Sequence, residues 1–273
     1  MLTDITLGQY YPGNSFVHKL DPRTKILATL VFMVTIFLAE GTLSYALLLA
    51  FVLVVGLVSR ISMGLLFKTI KPLWIIIALT LIIHIFSGQG EPLWSWYIFH
   101  VTREGIVLGI KMSLRLILLL LISSILTLTT SPIVLTDGIE DLMQPFKRLG
   151  VPAHELAMMM TIALRFIPTL LEETDRIMKA QVARGADFSR GSIINRAKNM
   201  LPILIPLFIS SFRRADELAL AMEARCYRGG EGRTRMHQLH WSTGDYEAGF
   251  IMIAVLLVVA FMKWGSAVCS IIS

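Results

Sequence analysis

Charged residues and cysteines are both scarce in this 273-residue chain, and each shortage excludes a class of protein. Only 16% of the residues are charged and 55% are hydrophobic, whereas about a quarter of the residues in an average soluble domain are charged. This composition is typical of a polytopic membrane protein rather than of a large soluble core. Cys226 and Cys269 are the only cysteines. Two are too few for a disulfide framework or a zinc site, and we interpret both as reduced or incidental.

Motifs for catalysis and cofactor binding are missing as well. No Gly-x4-Gly-Lys-Ser/Thr pattern occurs, so the chain is not expected to bind ATP through a P-loop. There is no His-Glu-x-x-His motif, and the closest two histidines, His237 and His240, are interpreted as loop residues. The first twenty residues contain no apolar run, which predicts that there is no secretory signal peptide. We expect no enzyme activity, metal site or cofactor in this chain.

Apolar runs fill the first half of the chain and return near its end. The first two are shorter than the roughly 20 residues that a straight transmembrane helix needs, and only three residues separate them, which predicts a tight helical hairpin. The predicted spans are 26–39, 43–58, 73–86, 105–130 and 248–262. We predict an all-α polytopic membrane protein with about five transmembrane helices and a cytoplasmic coupling domain of three helices inserted before the last span.

Basic residues show which ends of these spans face the cytoplasm. They concentrate before residue 26, in 59–71 and in 131–245, whereas 40–42 and the aromatic-rich segment 87–103 carry few. The positive-inside rule therefore predicts a cytoplasmic N-terminus and an outer C-terminus. It also explains the net charge of +6 without a nucleic-acid partner. The predicted domains are 1–130 with about four spans, 131–245 with the cytoplasmic coupling helices, and 246–273 with the last span and tail.

Two cations lie inside the fourth apolar run. Lys111 and Arg115 are four residues apart and share one face of the predicted helix. An ionisable residue at membrane depth is a functional hypothesis by default. The simpler interpretation is that the helix leaves the bilayer near Met112 and that both side chains snorkel, because about 19 residues remain from there to Thr130. We favour snorkelling.

Three helices are predicted in the coupling domain. The first is amphipathic and ends at Gly150. The second covers about 153–184, with a kink expected at Pro168, and the third covers about 192–227. Both long helices are apolar in their first half and charged in their second half. We expect the apolar end of each to pack against the spans and the charged end to reach into the cytoplasm.

One short pattern occurs near the ends of both long helices. Its copies are Asp175-x-Ile177-x-x-Ala180-x-x-Ala183-Arg184-Gly185 and Asp216-x-Leu218-x-x-Ala221-x-x-Ala224-Arg225-Cys226. The alanines share one helix face that can lie deep in a groove, and arginine offers five donors in a planar fork. The simpler interpretation is an arginine favoured by the helix macrodipole. Two matched copies favour contact with two similar partners, or with one partner twice. Because Cys226 replaces glycine, we expect the second cap later, at Gly229.

At these residues the chain resembles the transmembrane T component of energy-coupling factor (ECF) transporters, the EcfT or CbiQ-like permeases. The resemblance covers nearly the whole chain and includes motifs elsewhere. These are Pro12-Gly13-Asn14-Ser15, Asp21-Pro22-Arg23-Thr24-Lys25, Thr129-Thr130-Ser131-Pro132, Leu149-Gly150-Val151-Pro152 and Leu164-Arg165-Phe166-Ile167-Pro168. The N-terminal pattern looks more like the version in which one T component serves several S components than like the dedicated cobalt version.

The resemblance implies a coupling subunit of an ECF-type ABC importer in the cell membrane of a prokaryote. Two related cytoplasmic ABC ATPases would bind ATP and Mg, and a separate membrane S component would capture a vitamin or another micronutrient. The implied ATPase-binding residues are Ala183, Arg184, Gly185, Ala224, Arg225 and Cys226. The implied contacts with the S component are Met158, Met159, Leu164, Phe166, Pro168, Leu204 and Pro206. The methionines suit a surface that repacks against several partners, with ordinary helix packing as the alternative.

An autonomous secondary transporter or channel is the alternative function. It would predict carboxylates inside the membrane or interrupted helices that meet at its midplane. The apolar spans contain no acidic residue at depth. A scaffold without a transport role would differ by tolerating charge-preserving substitutions at Arg184 and Arg225.

Overall fold

A computed structural model describes residues 10–87, 92–96, 99–186, 193–229 and 238–272, and helices dominate it, which confirms the all-α prediction. The α-helices are α1 (Phe16–Lys19), α2 (Pro22–Leu38), α3 (Thr42–Val58), α4 (Met63–Ile70), α5 (Trp74–Ser87), α6 (Arg103–Thr129), α7 (Pro132–Met143), α8 (Ala153–Ala183), α9 (Ile193–Ala224) and α10 (Thr243–Ile272). Short 3₁₀ turns follow α4 (Lys71–Leu73) and α7 (Gln144–Leu149). Gly150, with φ of 86°, ends the second of these turns, as the sequence predicts.

A short antiparallel β-hairpin accompanies the helices. Strand β1 (Pro92–Trp96) pairs with β2 (Phe99–Thr102), and Trp96 lies opposite Phe99 in the register. The sequence predicts only an aromatic interfacial segment over 87–103. Aromatic and β-branched residues are also favoured in strands, so one composition accounts for both features.

Helices of membrane-spanning length and composition lie close to the predicted spans. In the described ranges, four helices are long and apolar enough to cross a membrane: Met63–Phe86, Arg103–Thr129, Ala153–Ala183 and Thr243–Trp264. Thr42–Val58 is a shorter apolar helix, and α2 has the same length of 17 residues. The sequence assigns 153–183 to the coupling domain because its second half is charged, and that assignment remains a prediction.

The described residues form two compact units, divided within α7 and again after Gln238. The first, here called the membrane unit, contains the described residues up to Gly138 and those from Leu239 onward. The second, the helical-pair unit, contains those from Ile139 to Gln238, including all of α8 and α9. The predicted domain limits remain a prediction.

The core of the membrane unit lies among α2, α3, α6 and α10. Its most deeply buried apolar side chains are Phe32, Ile36, Leu48, Leu118 and Val259. Helix α5 packs closely on α6, because a Cβ atom on Gly105 would lie only 2.8 Å from the carbonyl oxygen of His84. Only glycine permits this approach between the two backbones.

A buried polar cluster joins the starts of α2 and α10. Asp245 is 2% exposed, and its carboxylate accepts hydrogen bonds from the backbone N–H groups of Asp21 at 2.8 Å and Ser242 at 2.7 Å. The Lys25 ammonium donates to the carbonyl oxygen of Thr129 at 3.2 Å, at the end of α6. The 21–25 motif singled out in the sequence thus connects three helices at one end of this unit.

Arg115 lies against the turn between α2 and α3. Its Nη2 donates to the Tyr45 hydroxyl at 2.8 Å, and its guanidinium lies 5.4 Å from the centre of the Phe37 ring. Because α2 and α3 are short, this turn lies beside the middle of α6 rather than beside its start. The guanidinium thus has a hydroxyl and an aromatic ring as partners within the protein, and the snorkelling interpretation stays a prediction.

Candidate functional site

The two long helices of the helical-pair unit run antiparallel. Three contacts define their alignment: Gln181 Nε2 to Pro202 O at 3.5 Å, Arg214 Nη2 to Glu173 Oε2 at 2.8 Å, and Tyr227 Oη to Met158 Sδ at 3.0 Å. Residues later in α9 contact residues earlier in α8, which is the order expected of antiparallel helices. The charged half of each helix therefore lies beside the apolar half of the other. The expectation that the apolar end of each helix packs against the spans stays a prediction.

Both helices end in the same backbone hydrogen-bonding pattern, with the arginine as the C-terminal cap residue. At the first end the bonds run from Gly185 N–H to Val182 O (2.9 Å) and from Ala186 N–H to Gln181 O (3.0 Å). At the second end they run from Cys226 N–H to Glu223 O (2.9 Å) and from Tyr227 N–H to Met222 O (3.0 Å). These are the two bonds of a Schellman motif. The repeat in the sequence is therefore also a repeat in backbone geometry.

Cys226 occupies the left-handed position of this motif. Its φ is 56°, and φ of Gly185 at the other end is 91°. The prediction that the second cap comes at Gly229 is therefore wrong, because α9 already ends at Ala224. This left-handed conformation raises the conformational free energy of a residue with a side chain by roughly 1–2 kcal/mol. The hydrogen bonds of the motif hold Cys226 there in spite of that cost.

The twin ends, Ala183-Arg184-Gly185 and Ala224-Arg225-Cys226, are open to the surroundings. All six residues are exposed, and so are Ala180 and Ala221 of the alanine strips. Neither arginine side chain forms a hydrogen bond or an ion pair with any residue that the structure describes. Each end thus presents a guanidinium fork beside a smooth strip, the arrangement that suits insertion into a groove with a carboxylate or carbonyl oxygens.

The twin ends lie at opposite ends of the helix pair. Arg184 closes α8, whereas Arg225 lies two residues before Tyr227, which contacts Met158 near the start of α8. The helical path from Met158 to Arg184 is about 39 Å at the usual rise of 1.5 Å per residue. The two arginines can therefore contact two separate partners, or two distant sites on one.

The seven residues implied as S-component contacts differ in exposure. Met159, Pro168, Leu204 and Pro206 are exposed, whereas Met158, Leu164 and Phe166 are half-buried. A stripe of large exposed side chains on α9, here called the α9 stripe, surrounds Leu204. It comprises Leu201, Leu204, Ile205, Phe208, Ile209 and Phe212. Sequence reasoning did not single out its two phenylalanines, although spacings of three and four residues along a helix identify such a face.

Polar side chains join different helices of this unit in contacts that the sequence did not reveal. Arg214 pairs with Glu173 between α9 and α8, and His154 Nδ1 lies 2.9 Å from Glu140 Oε1, joining the start of α8 to α7. The pair of Asp175 with Lys179 within α8, by contrast, follows from the spacing of four residues in the sequence. Side-chain pairs between helices depend on how the two helices are aligned, and local sequence patterns do not contain that information.

Metal ligands are not grouped in the described part of the chain, where no three His, Cys, Asp or Glu side chains are placed to hold an ion. His240 precedes α10 outside any helix, and His237 lies outside the described residues. The candidate site therefore consists of the twin ends and the helix faces between them.

Comparison with known proteins identifies the family. The family model for CbiQ, described as a cobalt transport protein, matches residues 13–237. The energy-coupling factor transporter transmembrane protein EcfT of Acidaminococcus fermentans is 70% identical over 265 residues, which are 97% of this chain and 99% of the relative. Proteins of the same name from Clostridium kluyveri and Bacillus subtilis are 53% and 46% identical, covering 97% and 96% of this chain and 100% of each relative.

Identity at this level over whole chains confirms the resemblance drawn from the motifs. Proteins of this kind are multi-pass membrane subunits of transporters, not enzymes. The chain belongs to the EcfT family, the transmembrane components of energy-coupling factor transporters.

Proposed function

We propose that this chain couples two cytoplasmic ABC ATPases to a substrate-binding S component for uptake of a vitamin or another micronutrient. The observation that carries the proposal is the matched geometry of the twin ends, two exposed arginines on identical helix caps at opposite ends of one helix pair. ATP and Mg bind to the partner ATPases, and this chain carries out no chemical step.

Each twin end docks into a groove of one ATPase. The exposed alanines let the last turn of the helix approach the groove closely, and the arginine binds a carboxylate or carbonyl oxygens inside it. An arginine desolvated at the centre of an interface is a typical hot spot, whose truncation costs about 2 kcal/mol or more. The matched caps aim both arginines in the same way relative to their helices, so related grooves can receive both.

Movement passes along the helix pair. When the ATPases approach each other or separate, the two ends follow, and α8 and α9 must shift against one another. The Glu173–Arg214 pair and the Tyr227–Met158 contact join the helices, so displacement of one end is transmitted to the other helix. The α9 stripe and the exposed Met159, Pro168 and Pro206 offer the apolar surface on which the S component binds.

This function requires a defined orientation in the membrane. The protein is a multi-pass protein of a prokaryotic cell membrane, with its N-terminus and its coupling domain in the cytoplasm. The distribution of basic residues supports this orientation, and both twin ends are then on the side where the ATPases and their ATP are found.

Co-purification with the ATPase pair tests the proposal. The detergent-solubilised wild type is compared with Arg184→Glu, Arg225→Glu and the double variant. Matched controls are Arg176→Glu on α8 and Arg213→Glu on α9, which reverse the charge of an exposed arginine outside the twin ends. We expect each single twin-end variant to weaken the complex, the double variant to retain neither ATPase, and the controls to behave like the wild type.

Two results would contradict this account. If the double variant still retains both ATPases, the arginines are ordinary helix-end cations and docking lies elsewhere. If the wild type binds no ATPase, an autonomous transporter becomes the better explanation.

A further inference from the structure

An apolar cavity of about 300 Å³ lies in the membrane unit, in a part of the chain that the proposed coupling does not use. Residues of α1, α2, α3, α6 and α10 line it, and the lining is almost entirely apolar. Representative lining residues are Phe16, Val54, Ile122, Leu126 and Ile251. An engineered apolar cavity of ~150 Å³ stays dry and takes up benzene, so this cavity is large enough for a segment of hydrocarbon chain.

Two polar groups of the lining, the Lys25 ammonium and the Thr129 hydroxyl, are already used within the protein. The Lys25 ammonium donates to the carbonyl oxygens of His18 at 3.1 Å and Thr129 at 3.2 Å, and to the Thr130 hydroxyl at 3.3 Å. The Thr129 hydroxyl donates to the carbonyl oxygen of Ile125 at 2.7 Å. A polar ligand entering the cavity would lose hydrogen bonds with water and gain few in return. The cavity therefore favours hydrocarbon.

Two exposed cations lie on the elements that form the cavity. Lys19 is on α1, between the lining residues Val17 and Leu20, and Arg60 follows the lining residue Val58 after the end of α3. Neither side chain has an ion-pair partner among the residues that the structure describes. Positive charge therefore lies on the two segments, α1 and the residues after α3, whose neighbouring residues line the apolar cavity.

Arg60 also has an unusual backbone conformation. Its φ is 54°, and its N–H donates to the carbonyl oxygen of Leu57 at 3.0 Å. This is the helix-end position where glycine is the common residue, and a side chain is disfavoured there. Residues that break a local preference are expected at functional or strained sites, which supports a binding role for this arginine.

Two acidic groups at this end of the unit, Asp21 and Asp245, have partners other than these two cations. Asp21 pairs with Arg23 at 2.8 Å. The carboxylate of Asp245 accepts hydrogen bonds from Ser242 and from the backbone of Asp21. The positive charge of Lys19 and Arg60 therefore remains available to an anion.

We propose that the cavity and these two cations form a binding site for an anionic phospholipid. An acyl chain fills the cavity and restores the van der Waals contacts that its lining otherwise lacks. Lys19 and Arg60 bind the phosphate of the headgroup. Basic residues close to a membrane surface attract anionic lipids of the cytoplasmic leaflet, which is the leaflet that the positive-inside orientation assigns to this end of the unit.

Native mass spectrometry of the full-length protein in detergent, titrated with phosphatidylglycerol or phosphatidylcholine of equal chain length, tests this site. We expect the wild type to bind phosphatidylglycerol at least about tenfold more tightly, since each basic residue near an anionic headgroup changes the binding constant about fivefold. The double variant Lys19→Gln/Arg60→Gln should lower that affinity about 25-fold. The control Lys68→Gln/Lys71→Gln removes the same charge from residues outside the cavity lining and should change the affinity less than about twofold.

A second pair of variants tests the acyl-chain part of the site. Ala248→Phe places a ring in the cavity from α10 and should weaken the binding of both lipids, whereas Ala260→Phe changes the same helix outside the cavity lining and should not. Equal affinity of the wild type for the two lipids would overturn the proposal. Equal losses in the two charge variants, or in the two phenylalanine variants, would also overturn it, because binding would then reflect general lipid adhesion. ATPase docking does not enter this measurement.

Discussion

Replacing Cys226 by glycine is expected to stabilise the end of α9. Cys226 has a φ of 56°, and this left-handed conformation costs a residue with a side chain roughly 1–2 kcal/mol. Glycine avoids that cost but loses more backbone freedom on folding, which offsets about 0.5–1 kcal/mol. The thiol is exposed, so its removal sacrifices little packing. The net expectation is a gain of about 1 kcal/mol, or about fivefold in the local opening equilibrium.

Hydrogen exchange in the last turn of α9 measures this change, because a helix end opens locally rather than with the whole protein. Cys226→Gly should slow the exchange about fivefold, whereas Cys226→Ala, which retains the left-handed strain, should leave it unchanged. The reciprocal variant Gly185→Cys should speed exchange at the end of α8. A Cβ atom there would meet no other atom within 4 Å, so only the backbone conformation is changed.

A particular result would refute this reasoning. If Cys226→Gly and Cys226→Ala alter exchange equally, the effect comes from the loss of the thiol and not from the backbone. ATPase binding should persist in Cys226→Gly, because the Schellman bonds that orient Arg225 are backbone bonds that glycine also forms.

Three further predictions concern packing and polar contacts. Gly105→Ala should lower the free energy of unfolding of the solubilised protein by about 1–3 kcal/mol in a thermal melting assay. The reason is that the new Cβ atom would lie 2.8 Å from the His84 carbonyl oxygen. Gly64→Ala on α4, where nothing lies within 4 Å, should instead raise stability by up to about 1 kcal/mol. Asp245→Ala leaves two backbone N–H groups without their acceptor and should cost about 3 kcal/mol in the same melting assay, whereas a loss below about 1 kcal/mol would show that water replaces the carboxylate. A double-mutant cycle on Glu173→Gln and Arg214→Gln should give a coupling of about 0.2–1 kcal/mol, since the pair is partly exposed, and additive effects would show that it does not join the helices.

Local patterns in the sequence were sufficient to predict where most of the long helices lie. The hydrophobic runs predict spans within a few residues of α2, α3, α5 and α6, because burying apolar residues in lipid depends on composition and length alone. Helix α10 (Thr243–Ile272) begins before the predicted span 248–262 and continues ten residues beyond it. The extension of the third span back to Met63 was missed. Lys68 and Lys71 interrupt its apolar run, although a helix continues through them.

The alignment of α8 and α9 could not be predicted from such patterns. Both helices are apolar first and charged last, and this pattern is equally compatible with parallel and antiparallel packing. The contact of Glu173 with Arg214 selects the antiparallel arrangement. That alignment places Arg184 and Arg225 at opposite ends of the pair, about 39 Å apart along the helix.

By itself, the sequence determined the membrane character of the chain, its helical segments, the amphipathic faces and the twin Ala-Arg motif, because composition, spacing and helical periodicity are local properties. The tertiary structure alone decided that Cys226 takes the left-handed cap position, that Asp245 accepts hydrogen bonds from Asp21, and that a cavity lies among five helices. The Asp245 contact and the cavity depend on which backbone groups and side chains meet across long stretches of the chain. The cap at Cys226 is made by local backbone bonds, and these hold a residue type that is disfavoured in the left-handed conformation.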